Sequence, residues 1–207
     1  MSADAYATPV TLEGDLARLE PLAAHHLDDL AAAGADPATW RWLLDDHSAP
    51  GRLAEWLDRT LETAATGREL PFATVERSTG RAVGSTRYMA LAPEHRRLEI
   101  GWTWLAPSAR GTGINAEAKL LALDHAFGTL GCRRVEFKTD ALNERSRAAL
   151  LAIGARFEGI FRRHMLMADG RSRDSAWYAI IDDDWPTVRE RLQERVARFA
   201  TTAGRGR

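Results

Sequence analysis

The chain of 207 residues contains a single cysteine, Cys132, so it cannot form an internal disulfide, and a packed thiol is expected there. It has no apolar run long enough to cross a bilayer, no secretory leader and no glycine at position 2 for myristoylation. Its 28 basic and 29 acidic residues give a net charge of -1, which argues against a general binder of nucleic acids or membranes. These absences favour a cytoplasmic protein whose partner is small or matched locally.

Metal-binding and hydrolase motifs are absent as well. The six histidines, at positions 25, 26, 47, 95, 125 and 164, lack the spacing of metal ligands, so no metal is expected. The G-x-S-x-G elbow of hydrolases is missing, and no linker rich in proline, glycine or serine divides the chain. We therefore expect one domain over residues 10–182, a C-terminal helix over 183–200 that packs on it or extends from it, and flexible ends at 1–9 and 201–207.

The most informative segment is Ser108–Asn115, in which Gly111 and Gly113 separate an apolar, tryptophan-rich run from a long amphipathic run. This order predicts a strand, a glycine turn and a helix. Glycines let the backbone approach a ligand, and the start of a helix presents unpaired N–H groups and the positive end of its dipole. The segment therefore predicts a cradle for a phosphate or pyrophosphate, although glycines at such a place also serve as a plain tight connection.

Three known nucleotide-binding motifs do not fit this segment. A Walker loop requires Gly-Lys-Ser/Thr, and Lys119 lies too far into the helix to serve as its lysine. A dinucleotide fingerprint requires a third glycine where Ala116 stands, and the strand and catalytic loop of protein kinases are absent. Phosphate binding remains, while nucleotide hydrolysis and hydride transfer become weaker interpretations.

Periodicity predicts the elements around this loop, with a parallel strand–helix–strand crossover at the loop itself. The predicted helices cover residues 21–34, 52–66, 116–130, 144–153 and 187–199. The predicted strands cover residues 11–20, 71–77, 82–91, 98–105, 134–139, 155–167 and 175–181. In the strand before the loop, Leu98, Ile100, Trp102 and Trp104 are expected on one face and Glu99 on the other.

The order of elements and the loop resemble the Gcn5-related N-acetyltransferases, the GNAT superfamily, over roughly residues 10–182. The resemblance rests on Arg110-Gly111-Thr112-Gly113-Ile114, which is similar to the family's acetyl-CoA loop, and on Asn143 to Ser146 after the next strand. Asn115 departs from the glycine or alanine of the family motif and resembles the variant of the ribosomal-protein (RimJ/RimL-like) branch. The resemblance implies one α/β (α+β) domain: a mixed, mostly antiparallel sheet of about seven strands, flanked by helices.

The resemblance also implies a function, an N-acyltransferase that moves acetyl from acetyl-CoA to a primary amine, either a protein N-terminus or a small amine. Glu99 would be the general base for the attacking amine, and Ser146 the general acid for the departing thiolate. The residues implied to bind the cofactor are Trp104, Leu105, Arg110, Gly111, Thr112, Gly113, Ile114, Asn115, Asn143 and Ser146.

Each side chain outside the loop has a plainer alternative. Glu99 would otherwise pair with an arginine of a neighbouring strand, and Ser146 would be an ordinary serine near a helix start. The residues suggested for the substrate pocket, which would otherwise pack in the core or form ion pairs, are Trp40, Trp42, Arg87 and Tyr178.

Other functions stay open. A larger donor such as succinyl-CoA would need positive charge, which Arg87, Arg96 and Arg163 offer. Arg162-Arg163 and Arg171-x-Arg173 would bind an acidic acceptor or form a solvated strand face. A non-catalytic CoA-sensing or interaction domain is the alternative of another class, and no nucleic-acid or membrane partner is expected. Exposed strand edges late in the chain indicate a homodimer.

Overall fold

The computed structural model of the protein describes residues 3–204, and within them eight strands form one sheet flanked by five α-helices. The strands are β1 (Leu12–Glu13), β2 (Ala17–Pro21), β3 (Leu70–Glu76), β4 (Ala82–Ala92), β5 (Arg97–Leu105), β6 (Arg134–Asp140), β7 (Arg156–Leu166) and β8 (Ser172–Ile181). The helices are α1 (Leu27–Ala33), α2 (Arg52–Ala65), α3 (Ile114–Asp124), α4 (Glu144–Ala152) and α5 (Trp185–Gly204).

The sheet has the order β1-β2-β3-β4-β5-β6-β8-β7. Strands β5 and β6 form its parallel pair, joined by α3, and the other neighbours are antiparallel. This confirms the predicted mixed, mostly antiparallel sheet with a parallel crossover around the glycine loop. The first predicted strand, with its Gly14-Asp15 turn, was expected to enter the sheet as a short hairpin, and β1 and β2 form that hairpin. The sheet has eight strands where about seven were expected.

The parallel pair separates early. Its register covers only residues 97–99 of β5 against residues 134–136 of β6. Beyond that point β5 continues to Leu105 beside β4, and β6 continues to Asp140 beside β8. The two strands therefore open a cleft in the middle of the sheet, with backbone groups of β5 turned toward it.

The hydrophobic core lies on both faces of the sheet. The adjacent residues Phe72 and Ala73 of β3 belong to two different buried clusters, so the clusters lie on opposite faces. The larger cluster packs the sheet against α3, α4 and α5, and the smaller one packs it against α1 and α2.

Strand β5 changes face along its length. Leu98 and Ile100 belong to the larger cluster, but Trp104 belongs to the smaller one. Between them β5 carries one residue more than β4, and Trp102 has a φ of 50°. Such a bulge reverses the alternation of side chains. The expectation that Leu98, Ile100, Trp102 and Trp104 share one face is therefore wrong.

The ends of the predicted helices and of the chain also differ. Pro21 ends β2 instead of starting a helix, and α1 begins at Leu27 after a 3-10 turn. Residues 3–7, within the start expected to be flexible, form a 3-10 helix that buries Tyr6. Residues 1–2 and 205–207 of the expected flexible ends lie outside the described residues. Among residues 3–204, no helix is both long and apolar enough to cross a membrane.

Candidate active site

A cavity of about 380 Å³ opens where β5 and β6 separate. Its walls come from the end of β5, the glycine loop, the starts of α3 and α4, the segment 39–44 and the β7–β8 hairpin. The residues suggested from sequence that line it are Trp42, Glu99, Trp104, Leu105, Arg110, Gly111, Gly113, Asn115, Asn143 and Ser146. The folding of the chain thus brings the glycine loop, the mid-strand carboxylate and the α4 serine to one cavity.

The glycine loop is held in shape by its own side chains. Gly111 and Gly113 have φ values of 77° and 92°, in the left-handed region that favours glycine. Thr112 donates its hydroxyl to the Ala109 carbonyl at 2.7 Å, and Arg110 donates Nε to the Leu105 carbonyl at 3.2 Å. Helix α3 begins at Ile114 without a side-chain cap, so its first N–H groups are left for a ligand.

Arginine side chains line the cavity that the glycine loop borders, among them Arg110, Arg145 and Arg195. Burial and the nearby Arg145 lower the pKa of Arg110, and Asp36 opposes that shift. Together with the uncapped helix start, these side chains make a site that suits a phosphate group.

Glu99 is a buried carboxylate in the cavity wall, only 1% exposed. Its Oε2 accepts a hydrogen bond from Lys138 Nζ at 2.7 Å, so its partner is a lysine of β6 and not the arginine considered from the sequence. Burial raises the pKa of the Glu99 carboxyl, and the Lys138 ammonium opposes that shift. Gly101 leaves the room for it, because a Cβ there would lie 2.8 Å from Glu99 Oε1.

Asn143 and Ser146 form the start of α4 on the far side of the cavity. The Asn143 Oδ1 accepts the backbone N–H of Ser146 at 3.1 Å and so caps the helix, as its position in the sequence predicts. The Ser146 side chain is half-buried and lines the cavity, so its hydroxyl is available to a ligand.

The other residues suggested from sequence lie outside the cavity wall. In the loop itself, Thr112 turns its hydroxyl to the Ala109 carbonyl and Ile114 is buried. Trp40 is buried against Trp104 and donates its Nε1 to the Gly34 carbonyl at 2.7 Å. Arg87 pairs with Glu69 at 2.5 Å beneath α2, and Tyr178 is buried beside Arg147 and Phe157. Of the suggested pocket residues, only Trp42 lines the cavity.

Sequence reasoning missed Lys119, on the second turn of α3. It is 5% exposed, lines the cavity and donates Nζ to the hydroxyls of Thr103 at 2.7 Å and Thr86 at 3.3 Å. Burial lowers its pKa to about 7. A signal was present, because Lys119 stands at helical spacing from the apolar residues Ala116 and Leu123, so it shares a helix face with them.

Among residues 3–204, one group has the composition of a metal site: ligand atoms of Glu20, His25 and His26 lie within 4.8 Å of one another. The His26 Nδ1 accepts the Ala23 backbone N–H at 3.1 Å, so the proton of the neutral ring is on Nε2, which faces Glu20 at 3.3 Å. Both ring nitrogens of His26 therefore already take part in hydrogen bonds, which explains why His26 and Glu20 lie together.

A family model described as the acetyltransferase (GNAT) domain matches residues 17–156. The chain belongs to the GNAT acetyltransferase family. This confirms the resemblance drawn from the loop.

Individual relatives of this GNAT chain agree. The uncharacterized N-acetyltransferase YoaA of Bacillus subtilis (strain 168) is 31% identical over 105 residues, which are 51% of this chain and 58% of YoaA. The chain thus spans less than two thirds of that curated relative.

Two solved structures match over most of the chain. A GCN5-related N-acetyltransferase from Brucella melitensis is 32% identical with a TM-score of 0.85, over 91% of this chain and 86% of that one. Mycobacterium smegmatis RimJ, solved in complex with CoA-disulfide, is 25% identical with a TM-score of 0.77, over 91% and 95% of the two chains. RimJ supports the predicted RimJ/RimL-like branch.

Proposed function

We propose that this chain transfers an acetyl group from acetyl-CoA to a primary amine, by direct attack of the amine. The observation that carries the proposal is one cavity that joins an uncapped glycine-loop helix start to a buried carboxylate, Glu99, across a separated parallel pair. The first feature suits the phosphates of CoA, the second suits a proton acceptor, and the separated strands leave space for an extended arm.

The cofactor fits the groups on the cavity wall. The amides from Gly111 to Asn115, with Arg110, would hold the pyrophosphate, and Arg145 and Arg195 add positive charge at the same mouth. The end of β5 at Trp104 and Leu105 would pair with the pantetheine arm, because β6 no longer occupies that side of the strand. Asn143 and Ser146 would close the cavity opposite.

Two proton transfers remain for the protein. Acetyl-CoA supplies a thioester carbonyl for the attack. Glu99 would take the proton that the amine releases, and its raised pKa makes it a better acceptor than an exposed glutamate. The Ser146 hydroxyl would donate a proton to the departing thiolate sulfur. The acceptor is proposed to be a small amine or a protein N-terminus, and the compartment the cytoplasm.

Cofactor binding is tested first, by calorimetric titration of the protein with acetyl-CoA. Asn115 lies in the first turn of α3 and lines the cavity, so Asn115→Glu adds a carboxylate where the phosphate is expected without straining the backbone. We expect micromolar binding by the wild type and at least about tenfold weaker binding by the variant. The control is Gln193→Glu, which adds the same charge on an exposed turn of α5. Wild-type protein that binds no CoA thioester would contradict the proposal.

Catalysis is tested by the release of free CoA thiol from acetyl-CoA in the presence of amines. Glu99→Gln is expected to lower kcat by about 10²–10⁴ while the Kd for acetyl-CoA is unchanged, because only the proton acceptor is lost. In the wild type the rate should fall as pH drops through the raised pKa of Glu99, and the variant should lack that limb.

Ser146→Ala, assayed in parallel, is expected to slow release of the thiolate in the same assay. If the wild type binds acetyl-CoA but releases no CoA thiol with any amine, the chain is a non-catalytic CoA-sensing or interaction domain instead. If both variants release the thiol at the wild-type rate, Glu99 and Ser146 are not the groups that transfer the protons. The homodimer predicted from the sequence stays a prediction; light scattering on the purified protein tests it.

A further inference from the structure

Arg173, on β8, is a buried cation with no carboxylate partner among residues 3–204. It is 6% exposed and lines the cavity. Its Nε has no hydrogen-bond partner, and its Nη1 reaches only the Trp42 carbonyl, at a long 3.5 Å. A buried charge without a partner destabilises a fold, so an unmatched guanidinium facing a cavity calls for a ligand.

The acidic groups near Arg173 already form ion pairs with other side chains. Glu99 accepts Lys138 at 2.7 Å, and Asp140 accepts Arg171 at 2.8 Å. Both carboxylates act on Arg173 from a distance, yet burial dominates and lowers its pKa. At this end of the cavity, the two positive charges of Lys138 and Arg173 face the single negative charge of Glu99.

The described residues around Arg173 do not supply the missing negative partner. The His164 ring contacts the Ser175 hydroxyl at 3.0 Å, and burial together with Lys138 and Arg173 lowers its pKa, so it is neutral. A hydrogen bond of 3.1 Å from the Ala168 N–H to the Leu44 carbonyl ties the β7–β8 hairpin to the segment 39–44. The Trp42 carbonyl of the same segment faces Arg173, which is 6% exposed.

We propose that Arg173, assisted by Lys138, binds a carboxylate of the substrate inside the cavity. The planar guanidinium donates two parallel N–H groups to a carboxylate, a geometry that gives recognition as well as attraction. The inference rests on the proposed acyl transfer and adds a substrate class to it. Arg162 and Arg163 of β7 are exposed and belong to a solvated face, so of these arginines Arg173 is the one turned inward.

The carboxylate has two sources, the acyl group of a dicarboxylic acyl-CoA or the amine acceptor. One arm of the test compares acetyl-CoA with succinyl-CoA on the same amine. The other arm uses acetyl-CoA with acceptors that differ by one charge: glutamate against glutamine, aspartate against asparagine, and alanine against alaninamide. In one arm, the wild type is expected to prefer the charged substrate by at least about tenfold in kcat/KM, and that arm identifies the source.

The matched variants are Arg173→Gln and Arg162→Gln, which remove the same charge inside and outside the cavity. Arg173→Gln is expected to raise KM for the charged substrate about 10–100-fold and to change the rate with the neutral one less than about threefold. Arg162→Gln should leave both unchanged. Equal losses for charged and neutral substrates, or no preference in the wild type, would overturn the proposal.

The proposal can fail separately from the proposed function. If acetyl-CoA binds and neutral amines are acetylated without any carboxylate preference, the acyl transfer stands and the role of Arg173 does not. If no acyl-CoA binds, calorimetric titration with succinate against succinamide decides: binding of succinate alone, lost in Arg173→Gln, supports the site, and no binding of succinate overturns it. Arg173→Gln should also unfold at the same or a higher temperature, and a large fall would mark a structural residue.

Discussion

Lys119 is a fully buried amine whose only hydrogen-bond partners among the described residues are two hydroxyls, those of Thr86 and Thr103. Those hydroxyls are also 2.7 Å from each other, so they stay satisfied without the lysine. Burial lowers the pKa of Lys119 from 10.5 to about 7. The folded protein therefore favours the neutral amine. The free energy of unfolding consequently depends on pH through this group.

We predict that Lys119→Met changes how stability depends on pH. Above pH 7 the unfolded chain still holds the lysine proton that the folded chain has lost, so wild-type stability rises with pH toward 10.5. Below pH 7 both states are protonated and the full cost of the buried charge remains. The variant should thus be more stable than the wild type at pH 6, by a margin that shrinks by about 1.4 kcal/mol per pH unit above pH 7.

Urea denaturation at pH 6, 7, 8 and 9 measures this margin. Arg162→Met, which removes an exposed charge from β7, is the control and should show no such slope. A constant margin across the series would mean that Lys119 titrates alike in the folded and unfolded chain.

Among the elements, α3 does more than carry the glycine loop. Its Glu117 is buried, and its carboxylate accepts the backbone N–H groups of Asp15, Leu16 and Ala17 at 3.0, 2.6 and 2.6 Å. Gly14 makes this approach possible, because a Cβ there would lie 2.5 Å from Glu117 Cδ. The helix that begins at the loop is thereby fastened to the β1–β2 turn.

Glu117→Ala is predicted to lower the free energy of unfolding by about 3 kcal/mol, because three backbone donors lose a charged acceptor. Guanidinium denaturation followed by tryptophan fluorescence measures the loss. Glu62→Ala, on the exposed face of α2, is the control and should change stability by less than about 0.5 kcal/mol. Equal effects of the two substitutions would disprove the fastening role.

The elements also differ in whether the sequence predicts them. The glycine loop, the α3 crossover and the Asn143 cap follow from local chemistry, so they could be predicted. The bulge at Trp102 could not, because it depends on the pairing of β5 with β4, which no local pattern records. For Arg173 the sequence left both an acidic acceptor and a solvated strand face open, because its burial depends on segments that are distant in the chain, among them the one that carries the Trp42 carbonyl.

For the whole molecule, the two ends of the described chain both reach the region around α3. Tyr6 packs in the large cluster, where Cys132 donates Sγ to its hydroxyl at 3.4 Å, which agrees with the packed thiol predicted from the sequence. At the other end, Phe199 of α5 lies against the glycine loop, where a Cβ on Gly113 would come within 2.7 Å of its side chain. Packing from the last helix thus adds to the loop's own hydrogen bonds in holding its shape.

We predict that Phe199→Ala weakens acetyl-CoA binding by about three- to tenfold, because a loop that is no longer held in place must be ordered when the ligand binds. Calorimetric titration measures the change. Leu151→Ala, at an exposed position of α4, is the control and should bind like the wild type. Tighter binding by Phe199→Ala would instead show that the ring obstructs the cavity.

The contact between Phe199 and Gly113 also affects the order in which the chain completes its fold during synthesis. A ribosome makes the glycine loop long before it makes α5, and domains begin to fold from the N-terminal side during synthesis. The sheet can pair from β1 to β8 while the loop still lacks the side chain that packs against Gly113. We therefore expect a nascent chain that ends before residue 199 to lack the side chain that packs against Gly113, so the proposed affinity for acetyl-CoA should reach its full value only after the last helix docks.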